Sequence, residues 1–379
     1  MRNRDERSDT KRVSSANRRR FLLASAGAGS LFLAGCSGDG GDGSSDGGDG
    51  SSDGGDGSSD GGSDTTTASG GPSGRVTMLT SPPGTAGNAM GNAMMSLLTQ
   101  KTDLEGSASA GNGSIQNVVQ VMRGEANISR GVTTLLESAF NHEKPVDVET
   151  EYQPLQLFSH QVLRLPIVVR TGSDYQYYSD LSGVKVARGP QPASFQPTLD
   201  SAFNAIIEDH QAAYQAPNQM APALAAGNVG ASIIMDANGA MPSFAQEIAA
   251  RNDLRMLGVK EENQTTLKES GDVTTSVFSN DNWGDAVDEF VMEGETFMPV
   301  VHYSMISSAA TSADVVYTFC QTMYENRKQL PDMYAGFGPW TETEWYNSIV
   351  TPDVPFHPGA AKFLKENDLW KDEFQEADV

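Results

Sequence analysis

Apolar residues between positions 108 and 130 recur with the period of a helix, directly after a loop that is broken by glycines. Four of them are spaced as i, i+3, i+4 and i+7, which places them on one helix face. We predict that this helix has Ser114 as its N-cap and stops at Gly124. The apolar positions are Ile115, Val118, Val119 and Met122.

The loop before this helix has the composition of an anion-binding cradle. Gly111, Asn112 and Gly113 precede the helix start. Glycines have no Cβ, so a ligand can approach the free backbone N–H groups at the positive end of the helix dipole. An ordinary capped helix that packs on a sheet would show the same pattern, so both interpretations stay open at this point.

Strand, loop and helix follow one another repeatedly along the chain. A predicted strand at 76–80 leads through a Pro/Gly loop at 81–87 into a helix, and a further unit begins at 180–194. The first of these helices buries Met90, Ala93, Met94, Leu97 and Leu98 on its predicted apolar face. This alternation indicates an α/β fold with largely parallel sheets, in which ligands lie at the carboxyl ends of the strands.

Two extended apolar stretches mark the places where the chain passes between two lobes. The first, at 152–170, contains Pro166, which fits a crossover better than the centre of a sheet. The second, at 297–303, follows a polar segment at 260–275 and returns to the first lobe. The predicted organisation is a lobe 1 of residues 75–164 and 300–379 and a lobe 2 of residues 165–299, which face each other across a cleft.

The first 35 residues have the pattern of an export signal. Three arginines at 18–20 precede an apolar core that is too short to span a bilayer, which is typical of a twin-arginine signal. The core ends in a sequence similar to a lipobox, which predicts lipidation of Cys36; ordinary cleavage near Ala34 is the alternative. We therefore expect a protein that is lipid-anchored to the outer face of the cell membrane.

Residues 36–74 are predicted to be a disordered tether. They repeat glycine, serine and aspartate with a period of seven and contain no large apolar residue. Such a segment buries nothing that would offset the entropy of ordering it. Calcium-binding nonapeptide repeats also alternate Gly and Asp, but they need a recurrent apolar residue that is missing here.

Acidic residues outnumber basic ones by 49 to 26, and the formal net charge is −23. So acidic a chain argues against nucleic acid or an anionic membrane surface as a partner. The composition is also typical of a halophilic protein, which stays soluble in concentrated salt because its self-repulsion is screened there.

No catalytic or metal-binding constellation is recognisable. Nucleophile elbow, phosphate loop and His/Glu metal spacing are all missing, so we predict no enzyme activity, no cofactor and no metal. The two cysteines, Cys36 and Cys320, provide no disulfide framework, and the apolar surroundings of Cys320 predict a buried, inert thiol. His357 is predicted to be a structural cap, because nothing pairs it with a nucleophile or a metal ligand.

Three motifs together resemble the TAXI family, the solute-binding receptors of TRAP transporters. They are Pro-Phe-His-Pro-Gly-Ala at 355–360, Gly-Ser-x-x-Asn at 113–117 and Asp-Leu-Ser-Gly-Val-Lys-Val at 180–186. The resemblance covers roughly residues 76–372 and is to a haloarchaeal-type lipoprotein member. It implies a two-lobed type II periplasmic-binding-protein-like fold that delivers a small organic acid or amino acid, such as glutamate or another dicarboxylate, to a permease.

The same resemblance implies three ligand loops, at 81–87, 112–117 and 189–194. Two of them depart from the family pattern. The first contains Pro82 and Pro83, and the third has Gln-Pro-Ala-Ser where the family usually has Gly-Ser-Gly-Thr. Prolines lack an N–H donor, so we expect fewer backbone contacts to a carboxylate than is usual in the family.

The predicted site combines these loops with two arginines at strand ends. Arg130 and Arg188 are candidates for bidentate pairing with a ligand carboxylate, and a solvated arginine is the alternative. We predict an extracytoplasmic receptor that passes a small anionic solute to a TRAP-type permease; an ABC-type substrate-binding lipoprotein and a structural or adhesive envelope protein are the alternatives. The predicted ligand-binding residues are Ser81, Thr85, Asn112, Gly113, Ser114, Asn117, Arg130, Arg188 and Ser194.

Overall fold

The computed structural model describes residues 74–379 apart from the single positions 112, 192 and 272. The export signal predicted at 1–35, the lipidation site Cys36 and nearly all of the tether predicted at 36–74 lie outside the described residues. Gly74, the last residue assigned to that tether, already belongs to the first strand. In the described ranges, no helix is both long and apolar enough to cross a membrane.

The described residues form thirteen strands and ten α-helices. The strands are β1 (Gly74–Thr80), β2 (Leu104–Ala110), β3 (Ser129–Val132), β4 (Pro154–Arg164), β5 (Ile167–Arg170), β6 (Lys185–Gly189), β7 (Gln211–Tyr214), β8 (Ala231–Ile233), β9 (Asp236–Ala237), β10 (Leu254–Met256), β11 (Thr275–Ser279), β12 (Glu289–Phe290) and β13 (Glu295–Ser308). The α-helices are α1 (Ala86–Lys101), α2 (Ser114–Met122), α3 (Thr133–Phe140), α4 (Gln196–Ile206), α5 (Pro217–Ala225), α6 (Ser243–Arg251), α7 (Glu261–Glu269), α8 (Ala313–Glu325), α9 (Leu330–Met333) and α10 (Pro358–Glu366). Short 3-10 helices cover Tyr178–Leu181, Asn280–Ala286, Ala335–Thr341 and Thr343–Asn347.

The first lobe is built on a sheet that has β1 near one edge. β1 and β2 are parallel, and a single parallel bridge joins Met78 of β1 to Ile128, directly before β3. β3 pairs antiparallel with β13, and β13 pairs antiparallel with β4. The order across this lobe is therefore β2, β1, β3, β13 and β4.

The sheet of the second lobe has an equivalent strand arrangement. Its six strands are arranged as β12, β10, β5, β8, β6 and β7. β7, β6 and β8 are parallel to one another, whereas β5 is antiparallel to both β8 and β10. In lobe 1, β13 arrives from lobe 2 and lies between β3 and β4. In lobe 2, β5 arrives from lobe 1 and lies between β8 and β10. The predicted two-lobed type II periplasmic-binding-protein-like α/β fold is confirmed, but the expected largely parallel sheets are wrong, because the inserted strands β5 and β13 run against their neighbours.

The two connections between the lobes lie side by side. β4 ends at Arg164 and β5 begins at Ile167, with Pro166 between them as predicted. The Leu165 N–H donates to the Pro299 carbonyl of β13 over 3.1 Å, so the outgoing and returning strands are hydrogen-bonded at the crossing. The exact lobe boundaries stay a prediction, but both predicted positions fall in this crossing.

An aromatic cluster forms the core under the first sheet. Phe158 of β4 lies at its centre, with ring centroids of Trp340 and Tyr346 both at 5.3 Å and that of Phe319 at 5.8 Å. Helix α1 packs its predicted apolar face into the same core, where all five predicted positions are buried. The helical periodicity of α1 therefore predicted its burial correctly.

Two single-residue predictions are confirmed. Cys320 is a buried free cysteine, and burial raises the pKa of its thiol well above the usual value, which keeps the thiol protonated and inert. His357 is the N-cap of α10, where its Nδ1 accepts from the Gly359 N–H over 3.2 Å. Its Nε2 lies 2.9 Å from the Thr311 carbonyl oxygen, so the neutral tautomer with a proton on Nε2 satisfies both contacts.

The details of α2 and of the polar segment differ from the predictions. The N-cap of α2 is Gly113 rather than Ser114, which is the first helical residue. The buried face is also rotated, because Val121 packs inward while Ile115 is 42% exposed. Val121 belongs to a small apolar cluster with Leu79 of β1 and Ala126, and the helical period alone does not specify these partners. Within the segment predicted only as polar, Glu261–Glu269 form α7.

We expect the buried side chain of His160 to make the free energy of unfolding depend on pH. Its ring is fully buried in edge contact with Trp340, and burial, with the Arg130 charge as a smaller cause, lowers its pKa well below the usual value. Below about pH 6.5, the unfolded chain therefore binds a proton at this histidine that the folded chain does not bind. The free energy of unfolding consequently falls as the pH decreases below this value. The slope is up to about 1.4 kcal/mol per pH unit for each such histidine. His160→Phe, which keeps the aromatic contact, is expected to reduce this slope in urea titrations between pH 7.5 and 5.5; an unchanged slope would contradict the assignment.

Candidate functional site

A cavity of about 440 Å³ lies between the two lobes. It is placed at the carboxyl ends of β1 and β2 in lobe 1 and of β6 and β7 in lobe 2, where parallel strands leave a crevice. The lobe 1 wall consists of the loops before α1 and α2 together with side chains from β3, β4 and β13. The opposite wall consists of Met235, the starts of α5 and α6, and the residues Gly189, Pro190, Ala193, Ser194 and Phe195.

Arg130 on β3 is the charged side chain among the described residues that line this cavity. Its Nη1 donates to Gln161 Oε1 over 2.8 Å and its Nη2 to Ser81 Oγ over 2.5 Å, and its Cζ lies 4.3 Å from the centre of the Tyr303 ring. These three side chains hold the guanidinium on three sides. Burial is the main cause that lowers the pKa of Arg130 from its usual range, although the group remains a cation at any physiological pH.

Among the described residues, Arg130 has no carboxylate within ion-pair distance. Its side chain is nevertheless buried, with 8% of the residue exposed. Its surroundings also include the first turn of α1, which begins at Ala86 and carries the positive end of the helix dipole. A buried cation beside a second positive potential is costly unless an anion accompanies it. This geometry favours a bound anion in contact with Arg130.

Gly87 makes the space in which Arg130 lies. A Cβ at this position would stand 2.6 Å from Arg130 Cζ and 2.8 Å from Ser81 Oγ, both far inside van der Waals contact. The backbone of α1 at Gly87 is helical, so the glycine is required by the close approach of the side chain rather than by a special φ.

Gly87→Ala is expected to abolish anion binding while the fold is retained. The added methyl displaces the guanidinium from Ser81, whereas alanine is the better helix former by about 1 kcal/mol, which offsets part of the strain. Calorimetric titration and thermal unfolding would be compared with Gly338→Ala, since a Cβ at Gly338 meets no atom within 4 Å. Equal losses of binding in both variants would refute the role of Gly87.

The start of α2 contributes the second part of the lobe 1 wall. Gly113 has no side chain to cap the helix, so the first-turn N–H groups have no side-chain acceptor from the N-cap. Asn117 donates from Nδ2 to the Thr80 carbonyl over 3.0 Å, and its buried Oδ1 has no hydrogen-bond partner among the described residues. Asn117 Oδ1 and the first-turn N–H groups of α2 therefore lie in the same part of the cavity wall.

Ser194 of lobe 2 lies in the cavity wall. Its hydroxyl and that of Tyr303 are 2.6 Å apart, which joins lobe 2 directly to the side chain that packs on Arg130. Arg188, in contrast, is fully buried away from the cavity lining, where its Nη2 pairs with Asp200 Oδ1 at 2.8 Å and its Cζ lies 5.0 Å from the Phe203 ring centre. A guanidinium that is already paired within lobe 2 is not available to a ligand, so the geometry does not favour the predicted ligand role of Arg188.

Seven of the nine predicted ligand-binding residues line the cavity, and their contact with a ligand stays a prediction. They are Ser81, Thr85, Gly113, Ser114, Asn117, Arg130 and Ser194. Within this set, the Thr85 hydroxyl is engaged as the N-cap of α1 and donates to the Pro82 carbonyl over 2.7 Å. Asn112 lies outside the described residues.

The sequence interpretation missed several lining residues. Gln161 and Tyr303 contact Arg130 directly, and Met220, Met235 and Phe244 belong to the lobe 2 wall. A signal for Gln161 exists, because Ser159, His160 and Gln161 are three consecutive polar residues inside the buried strand β4. The methionines and Phe244 have the pattern of ordinary core residues and carry no such signal. Among the described residues, no group of three or more His, Cys, Asp or Glu side chains is arranged to hold a metal ion.

Solved structures similar to this chain are related at low sequence identity. A protein described as a periplasmic transporter is 13% identical with a TM-score of 0.44, over 70% of this chain and 86% of its own. The periplasmic aliphatic sulphonate binding protein SsuA from Escherichia coli is 16% identical with a TM-score of 0.40, over 78% and 79%. A TctC solute binding protein from Polaromonas is 12% identical with a TM-score of 0.42, over 70% and 88%. No curated protein sequence matches the chain, whereas the family model described as the NMT1-like family matches residues 78–367.

Proposed function

The chain belongs to the NMT1-like family, and from the geometry of its cleft we propose that it is an extracytoplasmic solute-binding receptor for a small organic anion. The observation that carries this proposal is the buried, carboxylate-free guanidinium of Arg130 in a cavity between two lobes. An anionic head group at this position would accept charge-assisted hydrogen bonds and neutralise a charge that is otherwise desolvated alone. The described lining residues include no His, Cys, Asp, Glu or Lys that could activate a nucleophile beside Arg130, which favours binding over catalysis.

The two-lobed architecture supports capture by closure around the solute. Contacts already cross the cleft at two places, between Ser194 and Tyr303 at 2.6 Å and between the Ser243 hydroxyl and the Gly84 carbonyl at 3.4 Å. A ligand that contacts both walls would add its own contacts to these and shift the population towards the closed state. A carrier with such a state can present its cargo to a membrane protein that recognises the closed surface.

The proposed partner is a TRAP-type permease, and the proposed location is the outer face of the cell membrane through a lipid at Cys36. Both follow from the resemblance of the motifs and from the export signal. An ABC-type importer is the alternative partner. A purely structural or adhesive envelope protein is less well supported, because such a protein has no use for an uncompensated arginine in an interlobe cavity. A multi-spanning TRAP permease encoded beside the gene would favour the transport role, and an adjacent ABC permease and ATPase would favour the alternative.

The receptor function can be tested by ligand retention and by thermal unfolding of the full chain. Native mass spectrometry of freshly purified protein is expected to show a retained small anion. Addition of organic acids at about 100 times the dissociation constant should stabilise the folded state by about 2.7 kcal/mol, which raises the melting temperature by several degrees in concentrated salt. The absence of both retained mass and stabilisation across carboxylates, sulfonates and amino acids would contradict the proposal.

A further inference from the structure

The two walls of the cavity differ in chemistry. Lobe 1 provides the charge of Arg130 together with polar groups of Ser81, Asn117 and Gln161. Lobe 2 provides mainly apolar surface, and its polar side chain, Ser194, already shares a hydrogen bond with Tyr303. The large apolar side chains of the lobe 2 wall are Phe195, Met220, Met235 and Phe244.

Backbone donors are also scarce on the lobe 2 wall. Pro190, Pro217 and Pro242 line it, and proline has no N–H. Pro217 and Pro242 stand at the starts of α5 and α6, so each of these helix starts has one N–H group fewer to offer an anion. This wall therefore has fewer backbone donors for a second anionic group, and among its described lining residues it has no cationic side chain.

A second charge of either sign has no counter-charge in the described cavity wall. Apart from Arg130, the described lining residues are uncharged, and the undescribed positions 112 and 192 are asparagine and proline in the sequence. A second carboxylate would be desolvated against methionine and phenylalanine, and an ammonium group would additionally face Arg130 itself. Burial of such an unpaired ion costs several kcal/mol in free energy relative to water, which a neutral group of the same size avoids.

We propose that the ligand is a monoanion with an apolar body, and not a dicarboxylate or an amino acid. Its single carboxylate or similar oxyanion binds at Arg130 and the start of α2, and a hydrocarbon or aromatic body packs on Phe195, Met220 and Phe244 of lobe 2. This inference rests on the proposed receptor function and replaces the glutamate-like ligand that the family resemblance implies. The volume of about 440 Å³ accommodates about 15 groups of the size of a water molecule, which suits a body of medium length.

Three compounds of equal chain length separate these ligand classes. Octanoate, octanedioate and 8-aminooctanoate share one carboxylate and differ only at the far end, and 1-octanol keeps the body without the anion. In calorimetric titrations of the full chain, octanoate is expected to bind at least about 100-fold more tightly than each of the other three. In the series from butanoate to octanoate, each added CH₂ is expected to strengthen binding by up to about fourfold. Octanesulfonate tests whether another oxyanion head group replaces the carboxylate.

Two variants assign the two ends of the ligand to the two walls. Phe244→Ala is expected to weaken octanoate more than butanoate, whereas Arg130→Met is expected to remove the difference between octanoate and 1-octanol. Octanedioate or 8-aminooctanoate binding as tightly as octanoate would overturn the monoanion proposal and leave the receptor function intact. A flat chain-length series would also overturn it. If none of these anions bound and no other solute were retained or stabilising, the receptor function itself would fail.

Discussion

Arg130→Met is expected to weaken binding of the anionic solute by about 2–5 kcal/mol, which corresponds to roughly 30-fold to 5,000-fold in the dissociation constant. The side chain provides the charge in the described cavity wall and is held ready by Gln161 and Ser81. Removal of the guanidinium leaves the solute's charge desolvated without a partner. The unliganded variant is expected to remain folded, since methionine has no charge to bury. Isothermal titration calorimetry and thermal unfolding of the same preparations measure both effects.

Two further variants separate the role of Arg130 from a general change in charge. Arg75→Met removes the same charge from an exposed side chain on β1, 74% of which is accessible, and should leave affinity unchanged. Arg130→Lys keeps the charge but loses the planar fork, so an intermediate affinity is expected. If Arg130→Met bound the solute as well as the unaltered protein does, the anion would have to lie elsewhere in the cleft.

Asp236→Asn is expected to lower the free energy of unfolding by about 3–5 kcal/mol. Asp236 Oδ1 lies 2.8 Å from Arg164 Nε, and their side chains are 1% and 9% exposed. Burial is the main cause that raises the pKa of Asp236, with the Arg164 charge opposing it, so the pair is held at a desolvation cost. The asparagine variant leaves Arg164 buried over the Phe278 ring without its counter-charge. Urea unfolding followed by circular dichroism measures the loss.

The double variant Arg164→Met/Asp236→Leu tests whether the lost stability comes from the orphaned charge. Because both charges are then removed, most of the stability is expected to return. Glu289→Gln serves as a comparison, since its pair with Arg255 at 2.7 Å is partly exposed and should contribute less than about 1 kcal/mol. If Asp236→Asn lowered the free energy of unfolding no more than Glu289→Gln does, the buried pair at the crossing between the lobes would stabilise the protein no more than an exposed pair.

The sequence predicted the buried face or the cap of an element correctly where residues within that element determine it. The apolar face of α1 and the cap at His357 depend on local periodicity and local hydrogen bonds, and both are as expected. The face of α2 is different, because Val121 is buried in a cluster with Leu79 and Ala126 while the predicted core residue Ile115 is exposed. Sheet direction was also mispredicted, since β5 and β13 come from the opposite lobe and no local pattern encodes that exchange.

The candidate site shows the same division between local and tertiary information. Glycine loops before α1 and α2 indicated where the cavity would lie. They did not distinguish Arg130 from Arg188, because both are arginines on short strands. What separates them is a tertiary partner, as Asp200 neutralises Arg188 within lobe 2 while no described carboxylate reaches Arg130. The apolar wall of lobe 2 could not be predicted from the sequence, because Met220 and Phe244 show the pattern of ordinary core residues.

The contrast between the single cation among the described lining residues of the cavity and a net charge of −23 has a kinetic consequence. An approaching anion is repelled by the acidic surface over distances of about 10 Å at 0.1 M salt but only about 3 Å at 1 M. The contact at Arg130 is sheltered from this screening because it is formed inside the cavity. The association rate constant is therefore expected to increase with ionic strength, opposite to the usual behaviour of a cationic site, while the dissociation rate changes little. In brine, such a receptor would load faster than it does in dilute buffer.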